Sequence, residues 1–362
     1  MTIYKLPNVS GITTSNSTIL NSGDQEIITN GGTAYYTTVN SGASEIVSNG
    51  GQAISSYVSK GGNVVISNGG VASSTQIYSG GTETVSSGGV DSGATVQNGG
   101  TEIVSNGGIA NAVNLSGKET VISGGLAIGT IINSGGSESV ASGATANGDT
   151  IYYGGVETVA SGGLAINTNA ASNANFQINS GAIEQVSAGV ANYVNVNKGG
   201  LEQVLSGGTA NYTVVNISGS VQVSNGGQVF NTTVNSGGSE SLASGGVASG
   251  TIINKGGTET VNNGGVDSGS TVSTGGTEIV NSGGVASSTI INKGGTETVN
   301  NGGVVSGSTV YTGGTEVVNS GGVASGTIIN KGGTETVNRG GVDDGSTVYT
   351  GGTEIVNSGG LA

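Results

Sequence analysis

Aliphatic residues recur along this chain at a fixed spacing, and pairs of glycine separate them. Residues 256–266 read Gly-Gly-Thr-Glu-Thr-Val-Asn-Asn-Gly-Gly-Val, and a close copy begins nineteen residues later at Gly275. A period of this length is typical of a protein in which one small unit is stacked many times. We number positions relative to the Glu of each repeat, so that Glu259 is position 0 and Val261 is position +2.

Eighteen repeats align on this numbering. Position +2 is aliphatic in every repeat, from Ile28 to Val356, and so is position −6, from Leu20 to Val348. Position +8 is mostly Ala, as at Ala53. These columns predict a core with two aliphatic walls and a third, narrower wall. The residues at position 0 are Glu26, Glu45, Val64, Glu83, Glu102, Glu119, Glu138, Glu157, Glu184, Glu202, Val221, Glu240, Glu259, Glu278, Glu297, Glu316, Glu335 and Glu354.

Short β-branched runs between glycine pairs predict strands, since helices need ten or more residues and tolerate internal glycine poorly. We place strands at positions −8 to −4, −1 to +3 and +7 to +10, with glycine pairs at two corners where the backbone takes positive φ. The sequence therefore predicts an all-β fold, a parallel β-solenoid of about 18 turns with 19 residues and three short strands per turn. The usual crossover rule favours right-handed coiling.

The chain is expected to form one elongated body. Residues 1–17 are predicted to be an N-terminal cap or leader, and residues 18–362 a single solenoid, irregular to about residue 236 and regular from about residue 237. The spacing from Glu102 to Glu119 is two residues short, and that from Glu157 to Glu184 is eight residues long. We assign both changes to the third corner, around Asn111 in the first case and near residues 166–174 in the second.

Charge and composition exclude several classes of protein. The chain has 22 acidic and 8 basic residues, a net charge of −14, which repels nucleic acid, so neither DNA nor RNA is expected as a partner. The 74 glycines come in pairs, which excludes collagen, and the regular aliphatic columns exclude a disordered tract. The sequence has no Cys and no His, so disulfides, thiolate nucleophiles and histidine bases are excluded as well.

The Glu column admits two orientations. Strict alternation along a strand would point position 0 to the same side as the core residue at +2. We expect the glycine corner to rotate each Glu outward instead, because sixteen buried, unpaired carboxylates would be too unfavourable. The outward column would be a solvated acidic stripe or, alternatively, a cation-bridged contact surface, and Lys255 and Lys293 could reach Glu259 and Glu297.

Other polar positions also form columns. Position −5 is Asn in eleven repeats, as at Asn254, which predicts a hydrogen-bonded Asn ladder. Thr and Ser dominate positions −8 and −7, which we interpret as a hydroxyl array open to glycans or, as a weaker alternative, to ordered water. The same −5 column holds four scattered tyrosines that could stack on sugars but form no continuous platform, namely Tyr78, Tyr152, Tyr311 and Tyr349.

No catalytic, cofactor-binding or metal-binding residue is predicted, and no cofactor is expected. Equivalent glutamates offer no pair of carboxylates in unlike environments, as acid–base catalysis requires. The Gly-Gly-x-Gly-x-Asp signature of calcium-binding β-rolls does not occur, and the nearest stretch, residues 89–93, has different spacing. The chain is therefore expected not to be an enzyme; a carbohydrate-active enzyme stays an alternative that would need a unique cleft at residues 166–174.

The recurring Gly-Gly-x-Glu-x-Val-x-x-Gly-Gly-x-Ala pattern resembles a known repeat. It occurs at residues 81–89 and 276–286 and is similar to the AIDA-type repeat in passenger domains of bacterial self-associating autotransporter adhesins. The resemblance covers residues 18–362. It implies a β-helical adhesin displayed on the bacterial cell surface or released outside the cell, with adhesion, autoaggregation, biofilm formation and, in some members, heptose added to Ser and Thr.

The resemblance also defines the partners to test. We expect self-association between rods on neighbouring cells, contacts with host-surface glycans or proteins, and modification by a heptosyltransferase. A passive spacer with its binding module elsewhere is the alternative. The given residues contain neither a signal sequence nor a translocator barrel, so export is expected of a longer parent chain.

Overall fold

The structure, a computed structural model, describes residues 3–6, 14–170, 175–187 and 189–362. These residues are all-β. Their strands form three parallel sheets over about 18 stacked turns, which confirms the predicted β-solenoid. In the described part of the chain no helix is long and apolar enough to span a membrane.

The chain divides into two compact units, each of them a β-solenoid. One unit comprises Met1–Gln177 and Gly181–Ile183, and the other comprises Ile178–Ser180 and Glu184–Ala362. The domain boundaries drawn from the sequence stay a prediction. Within the predicted cap, Ile3–Leu6 forms a strand that pairs in parallel with Gln25–Ile28, while residues 1, 2 and 7–13 lie outside the described residues.

Each regular turn contains three strands, close to the predicted positions but shorter. The Glu strand spans positions −1 to +2, the Ala strand +7 to +9, and the two-residue strand −7 to −6. The Glu strands, together with the cap strand in line with them, are Ile3–Leu6, Gln25–Ile28, Ser44–Val47, Asn63–Ile66, Thr82–Val85, Thr101–Val104, Lys118–Val121, Ser137–Val140, Val156–Val159, Ile183–Val186, Leu201–Val204, Ser220–Val223, Ser239–Leu242, Thr258–Val261, Thr277–Val280, Thr296–Val299, Thr315–Val318, Thr334–Val337 and Thr353–Val356.

The other strands follow the same repeat. The Ala strands are Thr14–Asn16, Thr33–Tyr35, Gln52–Ile54, Val71–Ser73, Val90–Ser92, Ile109–Asn111, Leu126–Ile128, Thr145–Asn147, Leu164–Ile166, Val190–Asn192, Thr209–Asn211, Gln228–Phe230, Val247–Ser249, Val266–Ser268, Val285–Ser287, Val304–Ser306, Val323–Ser325 and Val342–Asp344. The two-residue strands and their equivalents are Ile19–Leu20, Thr38–Val39, Tyr57–Val58, Gln76–Ile77, Thr95–Val96, Asn114–Leu115, Ile131–Ile132, Thr150–Ile151, Asn169–Ala170, Val194–Val196, Val214–Val215, Thr233–Val234, Ile252–Ile253, Thr271–Val272, Ile290–Ile291, Thr309–Val310, Ile328–Ile329 and Thr347–Val348. Asn175–Ile178 is an additional strand.

Consecutive turns stack with equivalent residues in register. Glu259 pairs with Glu278 and Val261 with Val280, so every position becomes a column along its sheet. Side chains alternate between the interior and the surface along each Glu strand. The interior of a regular turn therefore receives positions 0, +2, +8, −8 and −6, and the predicted aliphatic columns at +2 and −6 lie there.

The two glycines of a corner pair have different structural roles. Gly256 has φ +73°, a backbone conformation that disfavours other residues. Gly257 has no such φ, but a Cβ there would lie 2.4 Å from the carbonyl oxygen of Val234 in the preceding turn. At the third corner, position +10, φ is also positive, yet the residue is as often non-glycine, as at Asn231 and Ser288.

The predicted location of the shortened spacing was wrong. Between Glu102 and Glu119 the third corner keeps its normal spacing, and the shortening lies between Asn114–Leu115 and Lys118–Val121. Leu115, not Val113, pairs with Val96 as the core residue of its two-residue strand. The predicted insertion near residues 166–174 stays a prediction, since residues 171–174 lie outside the described residues. Next to them, Asn169–Ala170 pairs regularly with Thr150–Ile151, and Asn175–Ile178 is a strand.

Candidate functional site

The glutamates lie inside the solenoid, so the predicted outward acidic stripe was wrong. Fifteen of the sixteen are buried, and Glu259 is 0% exposed. Strand alternation turns Thr258 and Thr260 outward and Glu259 and Val261 inward, and the glycine corner does not change it. The prediction assumed that a buried glutamate stays ionised, whereas a neutral carboxylic acid is far less unfavourable in an apolar interior.

Hydroxyl groups at position −8 accompany the glutamates in the interior. Ser270 donates a 3.0 Å hydrogen bond to Oε2 of Glu259, and Thr37 donates one of 2.8 Å to Oε2 of Glu26. Most Thr and Ser side chains at −8 are buried, as Thr251 illustrates at 0% exposure, whereas Thr18 and Ser346 are half-buried. The prediction that hydroxyl groups at position −8 are open to glycans was therefore wrong, because these groups face the buried carboxyl groups.

Burial changes the acid–base behaviour of this column. It raises the pKa of Glu45 to about 8 and that of Glu202 to about 7. For Glu316 burial is again the main cause, and repulsion from Glu297 and Glu335 adds to it, so that its pKa lies well above the usual range. Many of these groups are protonated near neutral pH, and the formal net charge of −14 overstates the charge of the folded chain.

Four Asp side chains are buried as well, and three of them join pairs of glutamates. In each group the carboxylates offer one oxygen apiece within 4.8 Å of one another. Such oxygens could hold either a shared proton or a hard metal ion. The groups are Glu83 with Asp91 and Glu102, Glu138 with Asp149 and Glu157, and Glu259 with Asp267 and Glu278. The sequence signal for these groups is an Asp that replaces Ala at +8 or a hydroxyl residue at −8.

The predicted bridges between Lys at −4 and Glu at 0 are not compatible with this arrangement. The side chains of Lys255 and Lys293 are exposed, whereas Glu259 and Glu297 are 0% exposed. The lysines belong to the surface and the glutamates to the interior, so the two columns do not form a surface ion-pair network.

The outer surface carries two Asn ladders, of which sequence analysis predicted one. At position −5, Asn254 donates to Oδ1 of Asn235 at 3.0 Å, which confirms the expected ladder in that region. A second ladder runs at position +3, and its signal in the sequence is Asn in six consecutive repeats. Its Nδ2 to Oδ1 distances are 2.8 to 3.0 Å, through Asn262, Asn281, Asn300, Asn319, Asn338 and Asn357.

This second ladder borders an outward face of the Glu strands. Positions −1, +1 and +3 alternate outward along one strand, as Thr258, Thr260 and Asn262 do. We call the outward residues at these positions between residues 258 and 357 the Thr–Asn face. Position −1 is Thr and position +3 is Asn in every turn of this part of the chain, whereas position +1 alternates between Thr and an aliphatic residue such as Ile279. The face therefore carries two regular polar columns, one of hydroxyl and one of amide groups.

The four tyrosines predicted at −5 are on the surface, with exposures between 37% for Tyr78 and 56% for Tyr349. A stacked pair that sequence analysis missed lies elsewhere. The rings of Tyr193 and Tyr212 are 5.0 Å apart and 10° from parallel. Both residues have positive φ and lie at the third corner, not in the −5 column. The cleft that the enzymatic alternative requires at residues 166–174 falls partly outside the described residues.

Together, these features define a parallel β-solenoid repeat protein with polar ladders outside and titratable groups inside. No protein-family model matches the chain, and no curated protein sequence matches it. Among solved structures, the chain is similar to the crystal structure of a hyperglycosylated TibA fragment whose glycosylation is catalysed by TibC, with 28% sequence identity. The match covers 96% of this chain and 99% of that one, with a TM-score of 0.45.

Proposed function

We propose that this chain is a non-enzymatic adhesin segment of a bacterial surface protein and that it self-associates through the Thr–Asn face. The resemblance of its repeat to AIDA-type passenger domains supports the adhesin class. The Thr–Asn face supports the mode of contact, and the +3 Asn ladder is the observation that carries the proposal.

The ladder provides donors and acceptors at fixed intervals. An Asn amide has two N–H groups and two lone pairs on its oxygen, and a ladder contact uses one of each. The groups that remain can pair with an equivalent ladder on a second copy, because both have the same repeat distance. Many weak contacts at matched spacing then add up over a long interface.

The same face suits modification of hydroxyl groups. Thr258 and Thr277 point outward, whereas Thr251 and Ser270 are buried. A glycosyltransferase would therefore modify the outward threonines and leave position −8 untouched. Peptide mapping of protein from its native host, with sugar-bearing residues assigned by mass spectrometry, would measure this distribution.

The test of self-association compares two double variants. Thr277→Glu with Thr296→Glu adds two charges to the Thr–Asn face in adjacent turns, and Val285→Glu with Val304→Glu adds two charges to the Ala strands. Val285 and Val304 are both 39% exposed, so the control also places its charges at surface positions. Sedimentation of cells that display each chain, and light scattering by the purified chains, would report association.

We expect the Thr277/Thr296 variant to lose association and the Val285/Val304 variant to keep it. Equal association of both variants with the parent chain would reject the face. A parent chain that does not associate at all would instead favour the passive spacer, with adhesion supplied by another module.

A further inference from the structure

Glu83, Asp91 and Glu102 form a buried cluster, which we call the Asp91 cluster. Glu83 and Glu102 are paired neighbours on adjacent Glu strands, and Asp91 replaces Ala in the +8 column between Ala72 and Ala110. All three side chains are 0% exposed, and one oxygen of each lies within 4.8 Å of the others. Three acidic groups thus converge on one point of the interior.

The sequence removes hydroxyl donors at this point. Position −8 is Thr or Ser in most repeats, but the two residues that flank Glu102 in this column are Ala94 and Val113, both buried. Both oxygens of the buried Glu102 consequently have no hydrogen-bond partner. Glu297 also has two oxygens without a partner, but Thr289 and Ser308 flank it at position −8, whereas no hydroxyl group at −8 adjoins Glu102.

The other two members also direct an unpartnered oxygen into the interior. Thr75 donates to Oε1 of Glu83 at 3.1 Å, and the amide of Ala94 donates to Oδ2 of Asp91 at 3.3 Å. Oε2 of Glu83 and Oδ1 of Asp91 remain unpartnered. Four carboxyl oxygens that lack a hydrogen-bond donor are therefore buried close together, and one bound cation would be coordinated by them.

We propose that the Asp91 cluster binds one calcium ion. Carboxylate oxygens are the ligands of hard cations, and three carboxylates offer up to six of them. Calcium accepts six to eight oxygens in flexible geometry, including bidentate carboxylates. Magnesium requires near-octahedral geometry and retains several waters, which a closed and largely apolar interior provides poorly. The site lacks the Cys and His ligands that favour zinc.

The other two carboxylate groups have similar donors but differ from the Asp91 cluster in the residues at position −8. Asp149 accepts a 2.8 Å hydrogen bond from the amide of Thr130, and Ser270 donates to Glu259 at 3.0 Å. They serve as internal comparators, because neither has a glutamate flanked by two apolar residues at position −8. The Glu259 group also has oxygens without a partner, including both of Glu278, but Ser270 and Thr289 flank Glu278 at position −8. The calcium proposal is therefore made for the Asp91 cluster, where no hydroxyl group at −8 adjoins Glu102.

Burial determines how the ion would enter. Since every ligand is 0% exposed, exchange with solvent requires local opening, and the ion would be taken up during folding. The experiment should therefore unfold the full chain in guanidinium with a chelator and refold it in mildly alkaline buffer, with calcium or with chelator. Bound calcium is then measured by atomic emission after gel filtration, and the thermal midpoint by circular dichroism.

Two variants use residues that the chain itself has at the same positions. Asp91→Ala matches Ala72 and Ala110, and Glu102→Val matches Val64. Asp344→Ala removes an exposed carboxylate and is the control. We expect each cluster variant to bind about one calcium ion fewer than the parent chain and to lose the rise in thermal midpoint that calcium causes, while Asp344→Ala keeps both.

Two results would overturn the proposal. One is equal calcium content in the parent chain and in a folded Asp91→Ala variant. The other is a parent chain without bound calcium whose thermal midpoint is the same in calcium and in chelator, which would assign the cluster to protons alone.

Discussion

Ser270 donates a hydrogen bond to the carboxyl group of Glu259, which lies eleven residues earlier in the chain and directly across the interior. Ser270 directly precedes the two-residue strand Thr271–Val272, and Glu259 lies in the Glu strand Thr258–Val261. This hydrogen bond explains why Thr or Ser recurs at position −8. Because the buried carboxyl groups titrate, the stability of the chain should also depend on pH.

The free energy of unfolding is expected to fall as the pH rises from about 4.5 to about 8. Burial raises the folded-state pKa of Glu45 to about 8 and of Glu202 to about 7, against 4.5 for an exposed Glu. Over this range the folded chain keeps protons that the unfolded chain releases, so the stabilisation is complete below pH 4.5 and lost as the pH passes the folded-state values. Each retained proton corresponds to about 1.4 kcal/mol per pH unit. Urea unfolding across this range measures the slope.

Glu202→Val provides the matched variant for this experiment. Val221 already occupies the same position in the adjacent turn, so the substitution suits the local packing. In this variant we expect the free energy of unfolding to fall less steeply with pH below pH 7. The control is Asp344→Asn, at an exposed residue, which should keep the slope of the parent chain. Stability that rises between pH 4.5 and pH 8 would contradict the protonated interior.

Ser270→Ala should destabilise the chain by about 1 kcal/mol, because the buried carboxyl of Glu259 loses a donor. Ala is compatible with the space, since Ala94 occupies this column in another repeat. The thermal midpoint measured near pH 7 would report the change. Ser282→Ala, at an exposed serine, is the control, and an equal midpoint for the two variants would argue against the hydroxyl column.

Gly257→Ala should destabilise the chain by more than about 2 kcal/mol, since the new Cβ would meet the carbonyl oxygen of Val234 at 2.4 Å. Gly269→Asn is the comparison. Its φ is +77°, nothing lies within 4 Å of a Cβ there, and Asn231 occupies the same corner in another turn, so a change within about 1 kcal/mol is expected. Chemical denaturation would compare the stability of the two variants. If Gly269→Asn were the less stable of the two, the close contact at Gly257 would not be the reason for glycine there.

Asn300→Ala should remove two contacts of the +3 ladder and destabilise the chain by about 1 kcal/mol. The Asn300 amide donates to Asn281 at 2.9 Å and accepts from Asn319 at 3.0 Å. Hydrogen exchange of the adjacent Glu strands should increase locally. Asn301→Ala, one residue on and exposed, should have little effect, and equal effects would show that the ladder contributes no stability.

The repeat itself made much of the fold predictable. A fixed spacing with Val261 and its equivalents at +2 requires in-register stacking, and glycine pairs leave few places for corners. The length changes were harder to locate, because Val113 and Leu115 are both aliphatic and either could have continued the core column. Only the pairing of Leu115 with Val96 distinguishes them.

Strand alternation alone predicts the inward orientation of Glu259. An outward Glu follows only if the buried carboxyl group is ionised and unpaired, whereas protonation and the hydroxyl donors of Ser270 and its equivalents make the inward position acceptable. The Asp91 cluster was not predictable in the same way, since it depends on which side chains from three strands meet inside the turn. The sequence showed only that an Asp had replaced an Ala.

Burial of the acidic column leaves few negative charges on the surface of this chain. Nineteen of its 22 acidic side chains are buried. The surface that another molecule contacts therefore consists mainly of uncharged polar and aliphatic groups, with scattered lysines. Two such surfaces can approach closely without the long-range repulsion that a pI near 4.1 would suggest. Electrophoretic mobility of the folded chain should accordingly be far smaller than its sequence implies.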